Sequence, residues 1–245
     1  MVLNKERRSI VIRLFNWLAV FWLTSPWAMG WAFAKRKMEY REVVMKLPPP
    51  TWEGTVSVER AIKQRRTTRA FISRALSLSQ LSQLLWAASG VTENIAFKRA
   101  APSAGALYPM DVYVVVGQGS VTRIEAGVYH YEPREHRLSP VAQGDMRSLV
   151  AKASLSQMWM ANAPLTIVIT VEYNRATVKY GKRGIRYAMI EAGHIGQNIF
   201  LQAQALGLDA GIVGAFHDGK LIDVMNIPSA HEPLLLMPVG YQISQ

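Results

Sequence analysis

The rhythm of apolar and polar positions changes along the chain, and each change marks an element. In "LSLSQLSQLLWAASG" Leu81, Leu84, Leu85 and Ala88 recur at helical spacing, so a helix is predicted with Gly90 as its stop. Ser57 can cap a shorter helix, Val58–Gln64. The run "IRYAMIEAGHIGQNIFLQAQAL" (185–206) carries the strongest helical pattern, and Gly207 ends it. Its Ala188, Ala192, Gly193, Gly196 and Ala203 are small, which lets another helix approach closely. Asp145–Ser156 reads as a further helix. "DVYVVV" (111–116) and "GVYHY" (127–131) read as strands, and "EPREH" turns the second toward "RLSPV". "LTIVITVEY" (165–173) is almost wholly apolar and β-branched, which suits a central strand buried on both faces. "AGIVGAF" starts a loop or strand, and "PLLLMPVGY" is a last strand. Helices and strands mix without a regular βαβ alternation, so the predicted class is α+β.

Composition divides the chain into three segments. Residues 1–13 are basic, 14–34 carry no charge, and Ala32-Phe33-Ala34 offers small residues for cleavage. This reads as an export signal, with a retained membrane anchor through 14–34 as the alternative. Arg7-Arg8 ahead of Ser-Ile-Val resembles a twin-arginine signal, the route that carries folded proteins with their cofactors. Residues 35–56, with "KLPPPTWEG", form a linker or arm, which leaves 57–245 as one domain. The net charge is +11, and it stays strongly positive without residues 1–34. Such a surface favours anionic partners, including phosphate cofactors. Cysteine is absent, which excludes a thiol nucleophile, a zinc–thiolate site, an iron–sulfur cluster and a disulfide.

Motifs narrow the chemistry. "GQGSVT" (117–122) half-matches a dinucleotide fingerprint, but the residues after it are strand-like where that fingerprint needs a helix, so it reads as a turn. The five histidines show no metal-ligand spacing; His194, mid-helix beside Gly193, reads as a satisfied core residue. No metal site is expected. In "KQRRTTRAF" (63–71) Arg65, Arg66 and Arg69 flank Thr67 and Thr68. Arginine forks match phosphate oxygens and a threonine adds a hydroxyl, although the same run also suits a solvated basic patch. "APSAGALYP" (101–109) frees its backbone of bulk at Ser103-Ala104-Gly105, fit either for a flat ring lying on its amides or for a tight structural loop. Lys179-Tyr180 can supply a base and a hydrogen-bond donor, or belong to a basic loop. Zinc-finger and recognition-helix patterns are missing, and no nucleic-acid partner is expected.

Taken in order, "RRTTRAF", "LSQLLWAASGV", "RAAPSAGALYPMDVYVVV", "AGVYHYEPREHRL", "KYGKRGIRYAMIEAGHIGQNIFLQAQALGL" and "GAF" resemble the FMN-dependent nitroreductase superfamily, and within it the azoline-dehydrogenase (SagB-type) branch. The resemblance runs from about residue 57 to residue 240. It implies an α+β fold with a mixed sheet wrapped by helices, an intertwined homodimer, and FMN at the subunit interface. It implies that Arg65, Arg66, Thr67 and Arg69 hold the FMN phosphate and part of the flavin edge, with Arg99 as a further phosphate candidate. Pro102, Ser103, Ala104 and Gly105 match the loop that touches the flavin from the partner subunit. Val213, Gly214 and Ala215 match the segment whose backbone faces the flavin ring, and Lys179 and Tyr180 match the catalytic pair of the azoline-oxidising branch. The final "YQISQ" lacks the basic residues that many members carry after the last strand, so phosphate binding rests on the Arg65–Arg69 cluster and Arg99. The implied activity is hydride transfer to or from a small molecule or modified peptide, with a quinol, NAD(P)H or a protein as electron donor. The alternatives are an NAD(P)H-dependent nitro- or quinone-reductase and a non-catalytic flavin-binding accessory protein. With its export signal, the expected location is the periplasm or beyond.

Overall fold

A computed structural model describes residues 44–243 apart from 94, 96 and 97. The signal or anchor of residues 1–34 and the first part of the predicted arm lie outside the described residues. In chain order the elements are β1 (Met45–Lys46), α1 (Val58–Gln64), α2 (Leu78–Ser89), β2 (Val91–Glu93), β3 (Lys98–Arg99), β4 (Met110–Val116), β5 (Gly127–Glu132), β6 (Arg137–Gln143), α3 (Arg147–Ala153), β7 (Leu165–Val171), α4 (Asn174–Tyr180), α5 (Arg183–Ala205), β8 (Asp209–Ala210), α6 (Asp218–Met225) and β9 (Glu232–Gly240). Short 3₁₀ turns occupy Ala104–Ala106 and Met158–Asn162.

Seven strands form one sheet in the order β1-β6-β5-β4-β7-β9-β8, each neighbouring pair antiparallel. Parallel pairing enters through single bridges, Thr67 with Ala210 and Leu76 with Val121. Every residue of β7 is buried, which explains why it is apolar but for Thr166 and Thr170. One face of the sheet, with Val112, Val114, Ile167 and Ile169, packs against α2 and α5 through Leu81, Leu85, Ala192 and Ile195. The other face, with Tyr113, Val115 and Val168, packs against α3 and α6 through Val150, Leu221 and Met225. The period of two along β4 thus splits its side chains between two cores. Each buried Val, Leu or Ile contributes roughly 1.5–3 kcal/mol.

Local chemistry sets the helix ends. Ser57 accepts from Arg60 N and starts α1 at the expected residue. Ser77 and Gln80 form a capping box that starts α2. Helix α5 spans 23 residues and ends near Gly207, whose φ of +68° suits glycine. Of its small residues, Ala188, Ala192, Gly196 and Ala203 are buried, whereas Gly193 is exposed. Asn198 donates to Ala87 O at 3.0 Å and ties α5 to α2. Gly184 lets α4 come in close, since a Cβ there would sit 2.8 Å from the Ala176 carbonyl. The predicted helix 145–156 shortens to Arg147–Ala153, because the Asp145 carboxylate is spent on Gln118 N and Arg147. "GQGSVT" is a turn with Gly119 at φ +62° and no helix after it. The described part of the arm docks on the domain: β1 pairs with β6, Leu47 is buried, and Pro48 O accepts from Ser82 Oγ at 2.6 Å.

Candidate active site

The arginine-rich segment leaves α1 and runs beside β8. Arg65 caps α1, and its guanidinium lies 5.1 Å from the Phe200 ring centre. Arg66 Nη1 donates to Lys63 O at 2.9 Å and to Arg65 O at 2.8 Å, so its fork turns back on the carbonyls at the end of α1. Thr67 bridges to Ala210, and Thr68 N donates to Ala210 O at 2.9 Å. Arg69 lies 5.9 Å from the Trp159 ring. A Cβ on Gly211 would meet Thr68 O at 2.7 Å and Trp159 at 2.9 Å, so the segment leading to Val213-Gly214-Ala215 touches the arginine segment directly. Val213 is buried and pairs with Leu236. Gly214 and Ala215 are exposed, and nothing stands within 4 Å of a Cβ built on Gly214.

The second group of residues gathers around the loop 101–109. Gly105 sits at φ +61° inside the 3₁₀ turn, and Ser103 Oγ accepts from Tyr108 N at 2.9 Å. Lys179 and Tyr180 occupy the last turn of α4, a helix at a place where the sequence pattern left a loop open. A Cβ on Gly105 would stand 2.5 Å from Tyr180 Oη and 3.0 Å from Lys179 Nζ. The expected catalytic pair therefore lies on the backbone of the expected flavin loop. Glycine is required there twice over, for its φ and for the space. Gly105→Ala is expected to cost about 1–2 kcal/mol in backbone strain and to push Tyr180 away. Thermal melting checks the first effect, and NMR contacts of the Tyr180 ring with Tyr187 the second.

Arg99 does not join the Arg65–Arg69 cluster. Its Nη1 donates to Ser89 Oγ at 3.2 Å, and its guanidinium stacks 4.5 Å from the Tyr108 ring. Burial lowers its pKa. Behind it, an ionic cluster holds the start of α4. Arg175 pairs with Asp111 at 2.8 Å and Glu172 at 2.6 Å, and His130 donates to Asp111 Oδ1 at 3.0 Å. Burial works against the Asp111 charge, but the His130 hydrogen bond and the Arg175 charge hold its pKa below the ordinary value. Asp111, Glu172 and His231 present ligand-type atoms within 4.8 Å of one another. The Arg175 guanidinium already supplies positive charge there.

Within one chain the two groups stand apart. Arg65 neighbours Phe200, and Ser103 lines a pocket with Glu191; Phe200 and Glu191 are both on α5. Nine residues of helix separate those points by about 13 Å. The residues present fit a flavin: bare glycine backbone at Gly105 and Gly214 for a flat ring, and exposed arginine and threonine side chains for a phosphate. Two expectations need correction or addition. His194, read as a core residue, is exposed on α5, because that face of the helix is not covered by the described residues. Glu191, which sequence reasoning passed over, is 4% exposed and lines a pocket of about 290 Å³ with Ser103, Tyr187 and His194.

An antiparallel sheet sheathed by helices on both faces, with two glycine-bearing loops and an arginine segment at its margin, defines an α+β fold with a candidate cofactor site. The model described as the nitroreductase family matches residues 62–241, and the chain belongs to that family. The protein is similar to MJ1384 of Methanocaldococcus jannaschii, named as a nitroreductase: 42% identity over 188 residues, covering 77% of this chain and 92% of that one. It is also similar to the Microcin B17-processing protein McbC of Escherichia coli: 31% identity over 155 residues, covering 62% of this chain and 57% of McbC. Among solved structures, a nitroreductase from Ralstonia eutropha superposes with a TM-score of 0.70 at 28% identity, covering 82% of this chain and 90% of that one. A chain of the E. coli microcin synthetase McbBCD complex with truncated pro-MccB17 bound gives 0.64 at 25% identity, covering 91% and 84%.

Proposed function

We propose that the protein is an FMN-dependent oxidoreductase of the azoline-dehydrogenase type, acting as a homodimer on a small molecule or modified peptide. The observation that carries this reading is Lys179 and Tyr180 lying against Gly105 of the loop that would face the flavin. FMN, when bound, supplies hydride acceptance and donation at N5. Arg65, Arg66, Thr67 and Arg69 would hold its phosphate and one ring edge. The backbone of Val213-Gly214-Ala215 would face the ring, and Pro102-Ser103-Ala104-Gly105 of the second copy would contact it. Lys179 Nζ or Tyr180 Oη takes a proton from the substrate or returns one, so that charge does not build up as hydride leaves or arrives.

Two observations support the dimer. The phosphate-binding and loop residues are separated along α5, and α5 exposes Ile185, Met189 and Ile190. The peptide substrate is favoured by the likeness to McbC and to the pro-MccB17 complex. With residues 1–34 as export signal or anchor, a quinol, a partner protein or the substrate itself serves as electron donor outside the cytoplasm. A second reading, an NAD(P)H-dependent nitro- or quinone-reductase, is favoured by the likeness to MJ1384. The test is the visible spectrum of the protein purified without added cofactor, with mass spectrometry of the small molecules that heat releases. Bound FMN is expected. A folded, colourless protein that refuses FMN on titration overturns the proposal.

A further inference from the structure

Helix α4 starts with a charge in an unfavourable place. Arg175 lies in its first turn, where the helix dipole disfavours a cation, and neither an acidic residue nor a side-chain cap accompanies it there. Its guanidinium instead spans two carboxylates outside the helix. Nη1 stands 2.8 Å from Asp111 Oδ2, and Nε stands 2.6 Å from Glu172 Oε2. Asp111 Oδ2 is buried and accepts no hydrogen bond among the described residues, so the Arg175 charge is its closest company. His231 stands farther off, at 3.6 Å, and its other ring nitrogen is bonded to Tyr113 Oη at 2.7 Å.

Asp111 also sits at a junction. It pairs with Thr170 across β4 and β7, and its Oδ1 accepts from His130 at 3.0 Å. The loop 101–109 runs directly into β4, and its last carbonyl, Pro109 O, accepts from Glu172 N at 2.9 Å. The loop and the start of α4 therefore share one anchor. They meet again at their other ends, where Gly105 faces Lys179 and Tyr180. Arg175 and Lys179 are four residues apart, so they share a face of the helix. Between them Ala176 is buried against Gly184, with no room for a Cβ on the glycine. That contact is a pivot, and the ion pair at Arg175 sets the angle about it.

We infer that Asp111 and Arg175 are positioning residues for the Lys179–Tyr180 pair: their ion pair fixes the rotation of α4 and so sets where Lys179 Nζ and Tyr180 Oη stand against Gly105. The inference rests on the azoline-dehydrogenase reading for the reaction. Displacing a reacting group by about 1 Å costs on the order of 100-fold in rate. Neither Asp111 nor Arg175 belongs to the arginine segment or to the 213–215 backbone, so flavin binding does not depend on them.

Removing Arg175 alone leaves Asp111 buried and uncompensated, which threatens the fold. Asp111→Asn combined with Arg175→Gln removes both charges and nearly keeps the sizes. The experiment measures kcat and KM of the full chain, loaded with FMN, on a synthetic peptide carrying one thiazoline ring. It does so with and without Lys179→Ala plus Tyr180→Phe. In the otherwise wild-type chain the charge-free variant is expected to lose roughly 10- to 100-fold in kcat, with KM within about threefold. In the chain lacking the pair it is expected to change the residual rate less than about twofold, because nothing is left to aim. An unchanged kcat, or the same loss in both backgrounds, overturns the inference; equal loss marks a cluster that serves only the fold. A second measurement needs no substrate: the nuclear Overhauser contact between the Tyr180 and Tyr187 rings, 5.1 Å apart, in the flavin-free protein. Its loss in the charge-free variant sustains the inference, and its persistence at wild-type strength overturns it. If the wild-type chain binds no FMN or leaves the peptide untouched, the azoline-dehydrogenase reading falls and the ring contact decides alone.

Discussion

Replacing Lys179 with Ala together with Tyr180 with Phe lowers turnover of the physiological substrate by about 10²- to 10⁴-fold, the range for losing a positioned proton donor or acceptor. Flavin content stays near wild type, because neither side chain belongs to the arginine segment or to the 213–215 backbone. The two residues share the last turn of α4, which Gly181 ends at φ +55°. The Tyr180 ring stands edge-on to Tyr187 at 5.1 Å, and Lys179 Nζ lies 5.4 Å from the Tyr180 ring. These contacts hold the pair without enclosing it: Lys179 is exposed and Tyr180 half-buried, so a substrate can reach both. Comparing kcat with KM for the two single variants separates the roles. A proton-transfer residue lowers kcat, whereas a mere substrate contact raises KM. Full turnover in the double variant removes the pair from the mechanism and favours the nitro- or quinone-reductase reading.

Arg65→Ala combined with Arg66→Ala releases the flavin, with affinity falling roughly 100-fold or more, since each charge-assisted bond to a phosphate is worth about 1.5–3 kcal/mol. The two arginines contribute unequally. Arg65 leans on the Phe200 ring, a contact that leaves the hydrogen-bonding edge of its fork available. Arg66 must first give up Lys63 O and Arg65 O. Arg65→Ala alone therefore has the larger effect, and isothermal titration with FMN on the two single variants checks the order. The melting temperature is expected to move little without FMN, because both side chains sit at the surface end of α1.

Much of this was legible in the chain. Ser57 marks the start of α1 because a cap is a local bond, and the run 165–171 is a central strand because it is mostly β-branched and apolar on both faces. The features that the sequence concealed depend on distant partners. Helix α4 begins at Asn174 without a side-chain cap and includes Thr177 and Val178, poor helix formers, so its stability comes from Arg175 gripping Asp111 and Glu172 and from packing on α5. Helix α6 opens on His217 without a side-chain cap bond, so its start carries no strong signal. Glu191 looks like one more charge on an amphipathic helix. It is buried only because the loop carrying Ser103, nearly ninety positions earlier, folds back over α5. His194 shows the converse error. Small neighbours suggested an interior position, but covering that face takes more than the described residues of one chain.

The spacing along α5 has a genetic consequence. If each site draws its phosphate grip from one copy and its loop and proton-handling pair from the other, two inactive chains can repair each other. A chain crippled at Arg65 and Arg66 and a chain crippled at Lys179 and Tyr180 are each silent alone. Co-expressed in equal amounts, half of the dimers are mixed, and each mixed dimer holds one site built wholly from sound parts. About a quarter of wild-type activity then returns by random pairing of the chains.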